Sequence, residues 1–219
     1  MNVVITGSAS GIGLACVKKF IDEGHVVHGI DVSSTPVRRS RFIGHICDVS
    51  ESSTLPEIND VDILINNAGT QLGSNGDMNN NFWGVKNCTE KYGLHENIKS
   101  ILNQASVSAH TGAEFPEYCA SKGAVLTYTK WTANEVSKYG ATCNSLSCGG
   151  VLTELNRLVT DDKDCWREIM KYTPLKKWAT PEEIADWVYF FTVINKSCTG
   201  QDLIIDNGET SQTHFVWPE

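Results

Sequence analysis

An apolar strand-like run, a glycine-rich turn and an amphipathic stretch follow one another within the first 21 residues. No other feature restricts the possible folds of this chain as much. Val3-Val4-Ile5 leads into Thr6-Gly7-Ser8-Ala9-Ser10-Gly11-Ile12-Gly13, and Leu14 to Ile21 then carries apolar residues at helical spacing. Glycines let a backbone approach a pyrophosphate closely, and free N–H groups at a helix start attract its charge. The spacing is G-x-x-x-G-x-G, which makes Gly7, Ser10, Gly11, Ile12 and Gly13 candidate contacts of a dinucleotide.

The same alternation runs through the rest of the chain. Strands are expected near 2–6, 25–30, 42–47, 62–65, 100–105, 141–147 and 202–206. Helices are expected near 11–23, 78–97, 117–139 and 181–194, with a short helix at 52–59 and irregular helix within 153–172. Repeated βα units call for a parallel sheet covered on both faces, and right-handed crossovers wind it both ways. The expected fold is α/β: a doubly wound, Rossmann-type parallel sheet of seven strands, forming one domain over 1–219 with a substrate-binding region at about 150–178. Ligands of such sheets bind outside the carboxyl ends of the strands. Thr180-Pro181-Glu182-Glu183 has the cap, proline and acidic first turn of a helix start.

A net charge of −8 argues against a nucleic-acid or acidic-membrane role, and no apolar run is long enough to span a bilayer. With a strand expected from Asn2, no leader peptide is expected, so the eight cysteines read as reduced thiols of a cytoplasmic protein. There is no Cys-x-x-Cys, and the histidines do not cluster with cysteines at ligand spacing, so no metal site is expected.

Strand two ends in Gly29-Ile30-Asp31. A carboxylate there accepts both ribose hydroxyls of NAD and repels the 2′-phosphate of NADP. Arg38, Arg39 and Arg41 are the counter-evidence, but they lie seven or more residues beyond Asp31 and read as a solvated charge run. The expected cofactor is NAD rather than NADP. In the second half, Tyr118-Cys119-Ala120-Ser121-Lys122 opens a helical run, which puts a phenol and an ammonium on one face. Free tyrosine, with a pKa near 10, is a poor base at neutral pH. An ammonium at ~5 Å, at an effective dielectric of ~20, favours the phenolate by roughly 3 kcal/mol, about two pK units. Lys122 is therefore expected to lower the Tyr118 pKa.

The glycine turn, Asn66-Asn67-Ala68-Gly69, Asn103-Gln104-Ala105-Ser106, Tyr118 with Lys122, Cys148-Gly149-Gly150-Val151-Leu152-Thr153 and Thr199-Gly200-Gln201…Asp206-Asn207-Gly208 stand in one order. Together they resemble the short-chain dehydrogenase/reductase family over nearly the whole chain, with a looser likeness to bacterial hydroxysteroid dehydrogenases. The resemblance implies Tyr118 as acid/base, Lys122 as its tuning partner, and Ser106 as hydrogen-bond donor to the substrate oxygen, with Ser108 its rival. It implies that Asn81, which Gly84 follows at the customary offset, organises a water in a proton relay; Asn79 and Asn80 are alternative registers. Asp48 and Val49 would meet the adenine, Asn67, Ala68 and Gly69 the ribose, and Val151 and Thr153 the carboxamide. Tyr118 and Lys122 would also touch the cofactor. Cys148 stands where the family usually has proline, which places a thiol, read as neutral, near the nicotinamide.

The implied activity is interconversion of a secondary alcohol and a ketone by an NAD-dependent oxidoreductase. A 3-oxoacyl-thioester reductase and a catalytically silent dinucleotide sensor are the alternatives. The substrate is a small carbonyl or alcohol whose walls come from 70–72, 107–117 and 150–178. These segments hold Leu72, Phe115, Leu155, Leu158, Trp166 and Trp178 with Glu114, Glu154 and Arg157. Helix 117–139 carries two apolar stripes, Val125-Thr129-Thr132-Val136 and Ala120-Ala124-Tyr128-Trp131, and helix 181–194 is apolar almost all round. One stripe can cover the sheet and the other needs a partner, so a homo-oligomer, a dimer or tetramer, is expected.

Overall fold

The computed structural model describes residues 1–211, the side chain of Asn75 excepted. Its sheet comprises β1 (Asn2–Thr6), β2 (Val26–Asp31), β3 (Phe42–Ile46), β4 (Ile63–Asn66), β5 (Ser100–Ser106), β6 (Thr142–Cys148) and β7 (Asp202–Ile205). All pairings are parallel, and the spatial order is β3-β2-β1-β4-β5-β6-β7. This is the doubly wound seven-stranded sheet that the alternation predicts. Val3, Val4, Ile5, Ile63 and Leu64 are fully buried, as central strands covered on both faces require. The edge strand β3 is looser, with Ile43 and Ile46 exposed.

One apolar layer joins β1 to α1 (Gly11–Asp22) and α8 (Pro181–Tyr189). The opposite layer packs Val4, Ile30 and Leu64 against Cys88, Tyr92, Ala133 and Val136. Those last four residues lie on α3 (Gly84–Tyr92) and α5 (Pro116–Ser137). On α5 the stripe Val125, Thr129, Thr132 and Val136 is buried, whereas Trp131 of the second stripe is exposed. α8 starts with a complete capping box: Thr180 Oγ1 accepts from Glu183 N, and Glu183 Oε2 accepts from Thr180 N.

Two expectations change. The helix read at 78–97 begins earlier as α2 (Asn75–Met78), passes through a π turn at Asn79–Trp83, and ends as α3 at Tyr92, where Gly93 follows. The segment 52–59 holds only a 3₁₀ turn, Ser52–Thr54. A one-turn helix α4 (Ser108–Thr111) closes the end of β5, and the region after β6 resolves into α6 (Arg157–Thr160) and α7 (Lys163–Tyr172). Among the described residues no helix is long and apolar enough to cross a membrane.

Candidate active site

The strand order reverses between β1 and β4, and the crevice at their carboxyl ends is laced by side chains. Thr6 Oγ1 accepts from the amides of Asn67 (3.0 Å) and Ala68 (2.9 Å), and Asn67 Nδ2 donates to the oxygens of Thr6 (3.1 Å) and Gly7 (3.3 Å). Gly7 has φ +68°, and a Cβ there would lie 2.7 Å from Asn67 Nδ2. A Cβ on Gly13 would collide with the Gly7 carbonyl oxygen. The two glycines thus let the turn fold back onto β4, and Gly13 serves this packing rather than lining the cavity. Ser10 is the N-cap of α1 in extended conformation, and its side chain makes no capping bond, so the first-turn amides are available to an anion.

A cavity of about 740 Å³ opens above this crevice. It is lined by Gly7, Ser10, Gly11, Ile12 and Asp31. Asp31 Oδ2 accepts from Ala9 N and Oδ1 from Ser33 N, both at 2.9 Å, which fixes the carboxylate at the end of β2. Asp48, Val49, Asn67, Ala68 and Gly69 also line the cavity. Asp48 Oδ1 accepts from Ser50 N at 2.9 Å. Arg38, Arg39 and Arg41 do not line the cavity; Arg39 pairs with Asp22, and Arg41 Nη1 donates to the Gly24 oxygen. Val151 and Thr153 line the cavity as well. Val151 bridges to Ala179, and the Thr153 methyl lies 3.3 Å from the position of a Cβ on Gly11. A glycine turn with free helix-start amides and an acidic strand end, both lining one cavity, fit an adenine dinucleotide.

Ser106, Tyr118 and Lys122 share the wall beyond Gly69. Lys122 Nζ donates to the main-chain oxygen of Gln104 at 2.9 Å and lies 5.8 Å from the centroid of the Tyr118 ring. A Cβ on Gly69 would stand 2.8 Å from Asn81 Oδ1 and 3.3 Å from Lys122 Nζ, so the absence of a side chain there lets these groups converge. Asn81 is fully buried and does not line the cavity; the π turn places its Nδ2 to donate to Thr70 O and Ser121 Oγ, both at 2.9 Å, while Oδ1 accepts from Thr70 N at 2.7 Å. Of its neighbours, Asn79 is exposed and Asn80 lines the cavity. Ser106 Oγ donates to Ser108 Oγ at 3.0 Å; Ser108 itself is buried behind it and does not line the cavity.

The electrostatics correct one expectation. Burial pushes the Tyr118 pKa up to about 12, opposed by a hydrogen bond with Ser106. Burial brings Lys122 down to about 8, opposed by Cys148 and Asp77. Lys122 is buried and Tyr118 partly so, and this loss of solvent, which the helical offset does not register, raises Tyr118 instead of lowering it. Burial likewise raises Cys148 to about 11, although Gln104 Nε2 donates to its sulfur at 3.0 Å. It is a neutral thiol on the cavity wall.

The substrate walls are only partly those expected. Gln71, Glu114, Glu154, Leu155 and Trp178 line the cavity, whereas Leu72, Phe115 and Leu158 are exposed outside it. Trp166 packs edge-on against Trp178, and Arg157 pairs with Glu154. Three residues escape the sequence reading. Gln104 holds Lys122 through its carbonyl and Cys148 through its amide. Asp77, fully buried, accepts from Leu72 N, Gly73 N and Thr70 Oγ1 and so shapes the loop after β4. Glu209 lines the cavity from the turn after β7; its one sequence signal is the Asp206-Asn207-Gly208 turn before it.

Comparison with known proteins identifies the family. A family model described as enoyl-(acyl carrier protein) reductase matches residues 7–210. The chain is 28% identical to a 3-oxoacyl-[acyl-carrier-protein] reductase of Chlamydia pneumoniae, over 95% of this chain and 96% of that one. The solved structure of a 4-hydroxyisoleucine dehydrogenase mutant complexed with NADH and succinate is similar, with a TM-score of 0.86 and 25% identity over 98% of this chain and 100% of that one. ElxO with NADP bound has a TM-score of 0.83 and 25% identity, over 96% and 99% of the two chains. With a match that spans the glycine turn, the Tyr118 helix and the turn after β7, this chain belongs to the NAD(P)-dependent short-chain dehydrogenase/reductase family.

Proposed function

We propose that the protein interconverts a secondary alcohol and a ketone with NAD as hydride partner and Tyr118 as the group that moves the proton. The observation that carries this reading is the shared cavity: the Ser10–Gly11 helix start, Asp31, Ser106, Tyr118 and Lys122 all line it. When bound, the nicotinamide supplies the hydride in reduction and accepts it in oxidation. In reduction Tyr118, held neutral by burial, gives its proton to the oxygen of the former carbonyl while Ser106 orients that oxygen. Lys122, anchored on Gln104, returns a proton towards Tyr118, and Asn81 holds the wall behind it by pinning Thr70 to α5. Oxidation runs the same path in reverse.

Asp31 favours NAD, because its carboxylate would meet the ribose, while Arg39 and Arg41 are engaged elsewhere and Arg38 does not line the cavity. Asp48, Val49, Asn67, Ala68, Gly69, Val151 and Thr153 would complete the cofactor's surroundings. The chain is read as one domain that works as a homo-oligomer. The test is a screen of secondary alcohols for NADH formation. The likeness to a 3-oxoacyl reductase supports a second reading, reduction of an acyl thioester, which the same screen separates by including a 3-oxoacyl thioester with NADH and with NADPH.

A further inference from the structure

Glu209 brings a carboxylate into the cavity, and nothing in the proton-transfer scheme uses it. Its position is built by several contacts. The Asp206 carboxylate accepts from Gly208 N (2.9 Å), Thr210 N (2.7 Å) and Thr210 Oγ1 (2.5 Å), which holds the turn on which Glu209 sits. Glu209 Oε1 accepts from Thr173 Oγ1 at 2.6 Å and from Trp178 Nε1 at 3.2 Å, and both donors are buried. Trp178 is in turn wedged against Gly150, where a side chain would run into its ring. One oxygen of Glu209 is thus fixed. The other, Oε2, lies 3.6 Å from the position of a Cβ on Gly149. Gly149 follows Cys148, the register partner of Ser106 on β5. Oε2 is therefore carried to the carboxyl end of β6, one strand over from the serine read as orienting the substrate oxygen.

The charges around it point the same way. Glu114 and Glu154, the latter paired with Arg157, also line the cavity, and Lys122, the one cation among the described lining residues, has Nζ engaged with Gln104 O. A carboxylate accepts hydrogen bonds and repels anions. We infer that Glu209 selects the substrate: Oε2 receives a hydrogen-bond donor, a hydroxyl or ammonium group, carried by the substrate away from its reacting carbon. Substrates with a carboxylate or phosphate at that place are rejected. This rests on the reading of the cavity as an alcohol–ketone site.

The test uses four probes of similar size: 1,3-butanediol, 4-amino-2-butanol, 3-hydroxybutyrate and 2-pentanol. Each is titrated into the protein saturated with NADH, and binding is read from the nicotinamide fluorescence, with no need for turnover. The parent should bind the diol and the amino alcohol about tenfold or more tightly than 3-hydroxybutyrate, the scale of one charged hydrogen bond. Glu209→Gln should erase most of that preference and leave NADH and 2-pentanol affinities unchanged. Glu209→Asp, with its melting curve, guards against a folding artefact. A parent that binds 3-hydroxybutyrate as well as the amino alcohol overturns the inference, as does a Glu209→Gln change that weakens all four probes alike. A parent that fails to bind NADH overturns the dehydrogenase reading itself, and the inference with it.

Discussion

Tyr118 and Lys122 lie one turn apart on α5, with the lysine Nζ 5.8 Å from the tyrosine ring centroid and bonded to the Gln104 oxygen. Their burial drives the two pKa values apart: the phenol climbs from 10.0 to about 12 and the ammonium drops from 10.5 to about 8. The pair joins a phenol that stays protonated with a group that titrates close to neutrality.

This sets a pH dependence. Lys122 is a base whose value in the fold lies below its ordinary 10.5, so its proton is lost as pH rises through about 8. Ketone reduction consumes a proton, and its kcat/KM should fall above that pH. Alcohol oxidation should rise over the same interval. Lys122→Met should remove this dependence while lowering turnover and weakening NAD. Rates in both directions from pH 6 to pH 10, roughly spanning the titration, check this; an oxidation rate that stays flat contradicts it.

The cofactor preference should reside in Asp31. Asp31→Ala removes the acceptor that Ala9 N and Ser33 N hold in place, so NAD should weaken by about tenfold and NADP should gain. Fluorescence titrations with NADH and NADPH read both. A parent that already prefers NADPH would show that Asp31 is not the determinant.

The Cys148 thiol should react slowly, because burial holds it protonated and Gln104 occupies its sulfur. Bound NAD should slow its alkylation further, since the thiol lines the cavity. Mass spectrometry of labelled peptides gives the two rates, and equal rates with and without NAD would remove Cys148 from the nicotinamide wall.

Much of this arrangement is legible in the sequence for a physical reason. Strands buried on both faces must be short apolar runs, and the ends of those runs mark where ligands bind; Gly7, Asp31, Ser106 and Cys148 are found at such ends. What is not legible depends on packing between distant segments. No local pattern says that the Gln104 carbonyl will hold Lys122, or that Gly69 leaves space where Asn81 and Lys122 converge. The π turn at Asn79–Trp83 has no sequence period of its own. The rise of the Tyr118 pKa is not legible either, because a Coulomb argument between two residues omits their burial.

The outward apolar surface should be covered by further copies of the chain. Tyr128 stacks on the exposed Trp131 along α5, and Trp187, Phe190 and Ile194 are exposed on and after α8. Light scattering at micromolar concentration should report two or four chains per particle, and a monomer would contradict this.

The account stands most directly on Tyr118→Phe. The substitution removes one hydroxyl from the cavity wall and leaves the ring, Lys122 and the Gln104 contact in place. Turnover of an alcohol identified by the screen should fall by roughly a hundredfold or more, the scale of acid–base catalysis. NADH affinity and melting temperature, measured on the same preparation, should stay near the parental values. Near-parental turnover in Tyr118→Phe would contradict the central claim.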